Sequence, residues 1–355
     1  WGDGEMGRWG DGEKDSTMLK IKLVTKKALR RLANFILIIS LILISIWFSL
    51  QMPLNSYRGE LPPLTTAEIK LQQALKQDIQ KLSGELGEHN FSNYKNLVAA
   101  ANYLETSLTK SGYKAKHQKY KIGQREYDNI VAEIPGINRI NEIIVIGAHY
   151  DSVIDSPGAN DNATGAAAVL ELARAFAKLK PARTIRFVEF VNEEPPFFQT
   201  EDMGSLVYAK SLQKAGEKIV AMLSLETMGY YTDKPGTQKY PFPLNLLYPS
   251  SGNFIAFIGN LPSGDLVKRA IASFRRHAKF PSEGAILPDF IPGVGWSDQW
   301  SFWQAGYPGI MVTDTAPYRY PYYHTGQDTI DKINFERLAR VVAGLKKVII
   351  DLSVM

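Results

Sequence analysis

Hydrophobic and polar positions divide this chain into stretches with different rhythms. Residues 1–31 show no period: WGDGEMGRWGDGE is a short polar repeat, and Lys20, Lys22, Lys26, Lys27, Arg30 and Arg31 follow as a basic run without an acid among them. Residues 32–50, LANFILIISLILISIWFSL, carry no charge at all. From Thr65 the pattern turns helical. Ile69, Leu71, Leu75, Ile79 and Leu82 make one partly amphipathic stripe; Tyr94, Leu97, Val98, Ala101, Leu104 and Leu108 make a second, which Gly112 stops. Apolar runs at 130–134, 142–150, 184–191, 219–225 and 309–313 then read as strands. Helical patterns at 163–179, 203–214, 264–278 and 335–352 fall among them. Such alternation predicts an α/β layered fold with a largely parallel sheet.

As a helix, the uncharged run would extend about 28 Å, close to the ~30 Å hydrocarbon core of a bilayer. A basic flank before an apolar span predicts a cytoplasmic N-terminus and an extracytoplasmic, periplasmic or extracellular, remainder. No small-x-small cleavage site follows the run, so the reading is a retained single-pass anchor and not a cleaved signal. The expected organisation is a cytoplasmic basic tail (1–31), a transmembrane anchor (32–50), a linker punctuated by Pro53, Gly59, Pro62 and Pro63 (51–64), and one catalytic domain (65–355). The repeat in residues 1–17 is too small and polar for a core, and Met18 is the expected natural start.

Charge and composition narrow the picture. The chain has 41 Lys and Arg against 36 Asp and Glu, and no cysteine. The first 31 residues hold eight of the basic and five of the acidic residues, so most of the net charge of +5 is a topology signal and not a nucleic-acid surface. Without cysteine there is no disulfide framework, thiolate zinc site or cysteine nucleophile. The lipid bilayer, through residues 32–50, is therefore an expected partner, and nucleic acid is not.

Polar residues recur where open α/β sheets place their sites, at the C-terminal ends of buried strands. The strand at 142–150 runs into His149-Tyr150-Asp151, and PGANDNATG follows with Asp161 before a helix. The next strand ends in Asn192-Glu193-Glu194, the next in Glu226, and the loop after the last carries Tyr323-His324. Asp161 alone fits a helix N-cap as well as a ligand. Taken together, however, buried adjacent carboxylates are expensive unless a cation compensates them. Two histidines with several carboxylates and no thiol suit zinc, with cobalt or manganese as substitutes, and their number suggests two ions.

The run GAHYDSV…PGANDNATG…NEE…LET…YHTGQDTID resembles the zinc-dependent aminopeptidases, exopeptidases related to glutaminyl cyclases and glutamate carboxypeptidase II, over roughly residues 65–353. The ordered spacing from His149 to Asp161, Glu194, Glu226 and His324 is 12, 33, 32 and 98 residues. The resemblance implies a three-layer zinc-exopeptidase-like fold, a mostly parallel mixed sheet between helices. It also implies two Zn2+ per chain, with Asp161 bridging, His149 and Glu226 completing one site, and Glu194 and His324 the other. Asp151 would orient the His149 imidazole, Glu193 would be the general base, and Tyr323 would stabilise the oxyanion. Two departures stand out: Glu226 replaces an aspartate of the best-known secreted members, and Ser297-Asp298-Gln299 replaces a Ser-Asp-His of many relatives. We expect Ser297 to be a helix N-cap there. Asn160, Asn162 and Gly165 should shape the loop around Asp161, and the sequon at Asn162 should go unused. His89, His117 and His277 read as surface residues.

The expected activity is a membrane-anchored di-zinc aminopeptidase acting on peptides with a free N-terminus. A glutaminyl cyclase-like zinc acyltransferase is the alternative, although those relatives bind one zinc and depart from NDNATG. A non-catalytic, receptor-like relative is a third reading, opposed by the filled ligand positions. Phe290, Trp296, Trp300, Phe302, Trp303, Tyr318 and Tyr320 are dense enough to be either an apolar pocket or core.

Overall fold

The computed structural model describes residues 25–354, apart from the side chains of 42, 43 and 45–50. The polar repeat and Met18 lie outside the described residues. In chain order the elements are α1 (Lys26–Leu50), α2 (Thr66–Ile79), α3 (Tyr94–Lys110), β1 (Lys116–Ile122), β2 (Arg125–Ile134), β3 (Arg139–His149), α4 (Thr164–Phe176), β4 (Arg183–Phe190), α5 (Gly204–Lys214), β5 (Lys218–Glu226), β6 (Ile255–Gly259), α6 (Gly264–His277), β7 (Ser282–Ile286), α7 (Gln299–Gln304), β8 (Gly309–Thr313), α8 (Ala316–Arg319) and α9 (Phe335–Val354).

The chain up to residue 48, with all of α1 but its last two residues, forms one unit, and the chain from residue 49 on forms the other. Along α1, Leu32, Phe35, Ile36, Leu37, Ile38, Leu41 and Ile44 are exposed. Among the described residues no helix is long and apolar enough to cross a membrane. Eight side chains of the 32–50 run fall outside that description.

The sheet order is β1-β2-β4-β3-β5-β8-β6-β7. β4, β3, β5 and β8 are mutually parallel. β1 and β2 form an antiparallel hairpin on one flank, and the parallel pair β6 and β7 joins β8 antiparallel on the other. The central strands are buried on both faces, so they read as near-continuous apolar runs. In β3, Ile144, Ile146 and Ala148 face a core shared with α2, α3, α4, α6 and α9, while Ile143 and Val145 face α5 and α7. Each such buried aliphatic contributes about 1.5–3 kcal/mol. The result is the expected three layers.

Thr65 opens α2 with a capping box, its hydroxyl accepting from the Glu68 N–H. Gly165, in the first turn of α4, is forced by close approach: a Cβ there would lie 2.2 Å from the Leu225 carbonyl oxygen. That approach holds the start of α4 against the end of β5.

The segment expected as a free linker is docked. Arg275 donates to the Pro53 and Leu54 carbonyls at 3.2 and 2.8 Å, and the Ser282 N–H donates to Ser56 Oγ at 2.9 Å. Residues 52–56 thereby cover edge strand β7, whose open backbone groups would otherwise invite pairing.

Candidate active site and metal centre

The four parallel strands deliver their C-terminal ends to one edge of the sheet. His149 is the last residue of β3 and Glu226 the last of β5. Glu193 and Glu194 follow β4, Tyr323 and His324 lie beyond β8, and Asp161 sits in the irregular turn before α4. The backbone bends sharply at these ends. Asn192, Thr227, Thr315 and His324 all have positive φ, between 41° and 64°, a region that side chains other than glycine rarely occupy and that tends to mark functional sites.

The five expected ligands meet as two clusters sharing Asp161: His149, Asp161 and Glu226, and Asp161, Glu194 and His324. His149 Nε2 stands 3.4 Å from Asp161 Oδ1 and 3.3 Å from Glu226 Oε2. His324 Nε2 stands 3.0 Å from Asp161 Oδ2 and 3.4 Å from Glu194 Oε2. Ligand atoms held at ~2.0–2.1 Å around a tetrahedral ion are ~3.3 Å apart, so these spacings fit one ion per cluster. His149 Nε2, Asp161 Oδ2 and Glu194 Oε1 are also buried without hydrogen-bond partners. Buried polar atoms without partners, spread over both clusters, are what bound metal ions would satisfy. The donor set fits.

The electrostatics agree. Burial pushes the Glu193 carboxyl well above the usual range, against the pull of His149 and with reinforcement from Glu194 and Glu226. Burial also raises Glu194, to about 7, with the Asp161 charge adding to it. Burial would lower His149, but the Glu226 and Glu193 carboxylates outweigh it and hold the imidazole well above its ordinary value. For Asp161 burial is outweighed by the adjacent His149 and His324 imidazoles, so its carboxyl sits below the usual range. Among the described residues, every ion pair of these four carboxylates is with a histidine. The site is an excess of buried negative charge.

Two expected roles change in detail. The His149 Nδ1 partner at 3.0 Å is the backbone carbonyl of Asp151, and the Asp151 carboxylate is 3.6 Å away. That carboxylate instead accepts from the Glu193 and Glu194 N–H groups, both at 3.1 Å, and so ties their loop to the end of β3. Ser297 is not an N-cap. α7 begins after Asp298 without a side-chain cap, and the Ser297 hydroxyl donates to Glu226 Oε2 at 2.6 Å. A charged acceptor outcompetes the helix end because its hydrogen bond is stronger.

The asparagines shape the loop as expected. Asn160 accepts from the Gly229 N–H and donates to Asp314, while Asn162 donates to the Leu225 carbonyl and accepts from the Gly165 and Thr227 N–H groups. With its amide fully engaged and buried, Asn162 offers nothing to glycosylation. His89 is also buried, against expectation. Its backbone exchanges hydrogen bonds with Ser152, and its Nδ1 lies 2.5 Å from the Gly87 carbonyl oxygen. His117 and His277 are exposed, as expected; His117 pairs with Asp128 and Glu105, and His277 with Asp351 at 3.1 Å.

Asp314 and Asp328, both fully buried, were missed. Asp314 follows β8 directly, so the rule that found Glu226 at a strand end would have found it too. The aromatics divide. Phe302 is core, Phe290 is exposed, and Trp296 and Tyr318 line a cavity. Tyr240, Leu244, Ile258, Ile291, Val294 and Met311 also line it, and Glu226 and Tyr323 stand at its metal-site end. It encloses about 780 Å³ of empty space, its open mouth included. The Tyr323 ring is stacked on His324, centroids 3.9 Å apart.

Residues 129–349 match the sequence model of Peptidase family M28. The chain is 36% identical over 282 residues to the uncharacterized protein YfbL of Escherichia coli (strain K12), covering 77% of this chain and 86% of that protein. It is 29% identical over 261 residues to leucine aminopeptidase 1 of Sclerotinia sclerotiorum, covering 68% of this chain and 60% of that relative's length. In three dimensions it is similar to a zinc aminopeptidase from Bacillus subtilis, with a TM-score of 0.65 at 15% identity over 79% of this chain and 95% of that one. It is also similar to a glutaminyl cyclase from Fimbriiglobus ruber, with a TM-score of 0.59 at 20% identity over 82% and 97% of the two chains. At those identities the structural likeness is one of fold.

Proposed function

This chain belongs to peptidase family M28, and from that premise we propose that it is an aminopeptidase working with two zinc ions, removing apolar N-terminal residues from peptides. The observation that carries the reading is the pair of three-ligand clusters sharing Asp161 at the end of an apolar cavity. His149, Asp161 and Glu226 would hold one ion, and Asp161, Glu194 and His324 the other. Four carboxylates, counting Glu193, match the charge of two divalent ions. Zinc bound there supplies Lewis acidity at the scissile carbonyl and at the attacking water.

The chain's own groups do the rest. Glu193 Oε2, 3.8 Å from His149 Nε2 and bonded to neither cluster by a short contact, is free to take the water proton and pass it to the leaving amine. Its elevated proton affinity, set by burial, suits a base that must hold that proton between the two steps. Tyr323, whose ring stacks on His324 and which lines the cavity, would donate to the carbonyl oxygen as charge develops. Glu226 and its neighbours favour a substrate ammonium, and the cavity beside them receives the first side chain.

The test is a panel of aminoacyl reporter substrates, free and N-acetylated, with the detergent-solubilised full chain and added zinc. Release from free leucyl or phenylalanyl substrates only is the expected result. Cleavage of the blocked substrates would remove the aminopeptidase reading. Conversion of N-terminal glutamine to pyroglutamate would favour the cyclase chemistry.

We further propose that residues 32–50 anchor the enzyme in a membrane, with the catalytic domain outside the cytoplasm. The uncharged run, its basic flank and the exposed apolar side chains of α1 support this. Retention in the membrane pellet after alkaline carbonate extraction, abolished by deleting residues 1–50, is the expected outcome.

A further inference from the structure

Asp328 belongs to neither cluster, yet three consecutive backbone amides converge on it. The Asn160 N–H donates to Oδ1 at 2.8 Å, the Asp161 N–H donates to Oδ2 at 3.0 Å, and the Ala159 N–H donates to the Asp328 carbonyl at 3.1 Å. The Tyr320 hydroxyl supplies a fourth hydrogen bond, to Oδ1 at 2.7 Å. The carboxylate is fully buried, and 167 residues of chain separate it from Asp161. Its own loop, between α8 and α9, carries His324, the more exposed of the two histidine ligands.

We propose that Asp328 is a positioning residue that sets the metal-bridging carboxylate. By holding the Asn160 and Asp161 amides it fixes the backbone from which the Asp161 side chain reaches both clusters, and it straps that turn to the loop bearing His324. The inference rests on the two-ion reading and extends it. Because Asp161 is common to both clusters, loss of the strap weakens both ions together, and not only the one His324 serves. Asp151 is the corresponding strap on the other side, since it sits two residues after His149 and holds the Glu193 and Glu194 amides.

The probes are zinc, by chelator competition, and cobalt(II), by its visible absorption, titrated into metal-stripped full chain. Asp328→Asn is nearly isosteric, but its amide nitrogen turns a donor toward one of the two backbone donors. Partners that orient metal ligands typically matter by about 10–100-fold in affinity, so both dissociation constants should rise by that factor. The cobalt spectrum should change at both steps of the titration. Tyr320→Phe keeps both amide acceptors and should change either constant by less than about threefold. Unfolding of the metal-stripped variants, followed by circular dichroism, shows that each still folds. Wild-type constants in Asp328→Asn, or weakening of one ion alone, would overturn the proposal. A wild-type chain that binds no divalent ion would instead overturn the two-ion reading beneath it.

Discussion

Two clusters of buried acids in this molecule have opposite solutions. Between α2, α3 and α4, Asp78 and Glu171 share the Arg174 guanidinium, with Nη2 3.2 Å from Asp78 Oδ1, and Asp78 also accepts from the Tyr103 hydroxyl. At the strand ends, the basic partners of Asp161, Glu193, Glu194 and Glu226 among the described residues are two histidines. The first cluster is closed because its cation is part of the chain. The second has no arginine or lysine of its own among the described residues, which is why we propose an exchangeable cation there. A permanent arginine makes structure; acids without one make a site.

The contrast can be broken most sharply from the metal side. Chelation should abolish hydrolysis altogether and lower the wild-type melting temperature, with zinc restoring both, whereas Arg174→Met should destabilise equally with and without chelator. That second loss should be about 1–3 kcal/mol, below the figure for a fully buried pair because Arg174 is a third exposed. Differential scanning calorimetry reads both.

Within the open cluster, Glu193→Gln should reduce kcat by about 10²–10⁴ while leaving zinc stoichiometry unchanged. Unaltered turnover would remove Glu193 from the mechanism. Leu244→Arg, at the half-buried wall of the cavity, should cut kcat/KM for leucyl and phenylalanyl substrates by about 10–100-fold and spare small side chains. Ser297→Ala removes a hydrogen bond to the charged Glu226 carboxylate, a change of about 1.5–3 kcal/mol. It should weaken the ion of the His149 cluster selectively, as isothermal titration of the stripped enzyme would show.

The closed cluster supplies a further contrast, in pH. Burial pushes the Glu171 carboxyl up to about 7, from an ordinary 4.5, so the folded chain keeps a proton there that the unfolded chain has released. Stability should therefore fall as pH rises between those values. Melting temperature measured across pH 4.5–7.5 should show this slope in the wild type and lose it in Glu171→Gln.

Much of this was legible in the chain before any coordinates. The apolar runs ending in His149, Glu226 and the Glu193-Glu194 pair marked both the parallel strands and the acids stranded at their ends, because burial makes each such residue anomalous by itself. β1 escaped notice because KHQKYKI is a polar edge strand, specified by pairing with β2. β7, SEGAI, carries too little apolar pattern to stand out, whereas β6, IAFIG, is as short and apolar as β8 and was legible by the same rule. His89 and the segment 52–56 looked like surface and linker, since nothing local announces that a partner distant in sequence will cover them.

By itself, then, the sequence determined the layers and pointed to the residues that meet in the two clusters, through periodicity and through polar residues placed where apolar ones belonged. Only the tertiary structure decided what holds those ligands still. Asp151 and Asp328 act through backbone N–H groups, which every residue but proline possesses, so no side-chain pattern encodes the partnership. Ser297 reaches Glu226 rather than capping its own helix because packing brings a stronger acceptor within 2.6 Å. Residue types are written along the chain, but a hydrogen bond between positions 161 and 328 exists only once folding has made them neighbours.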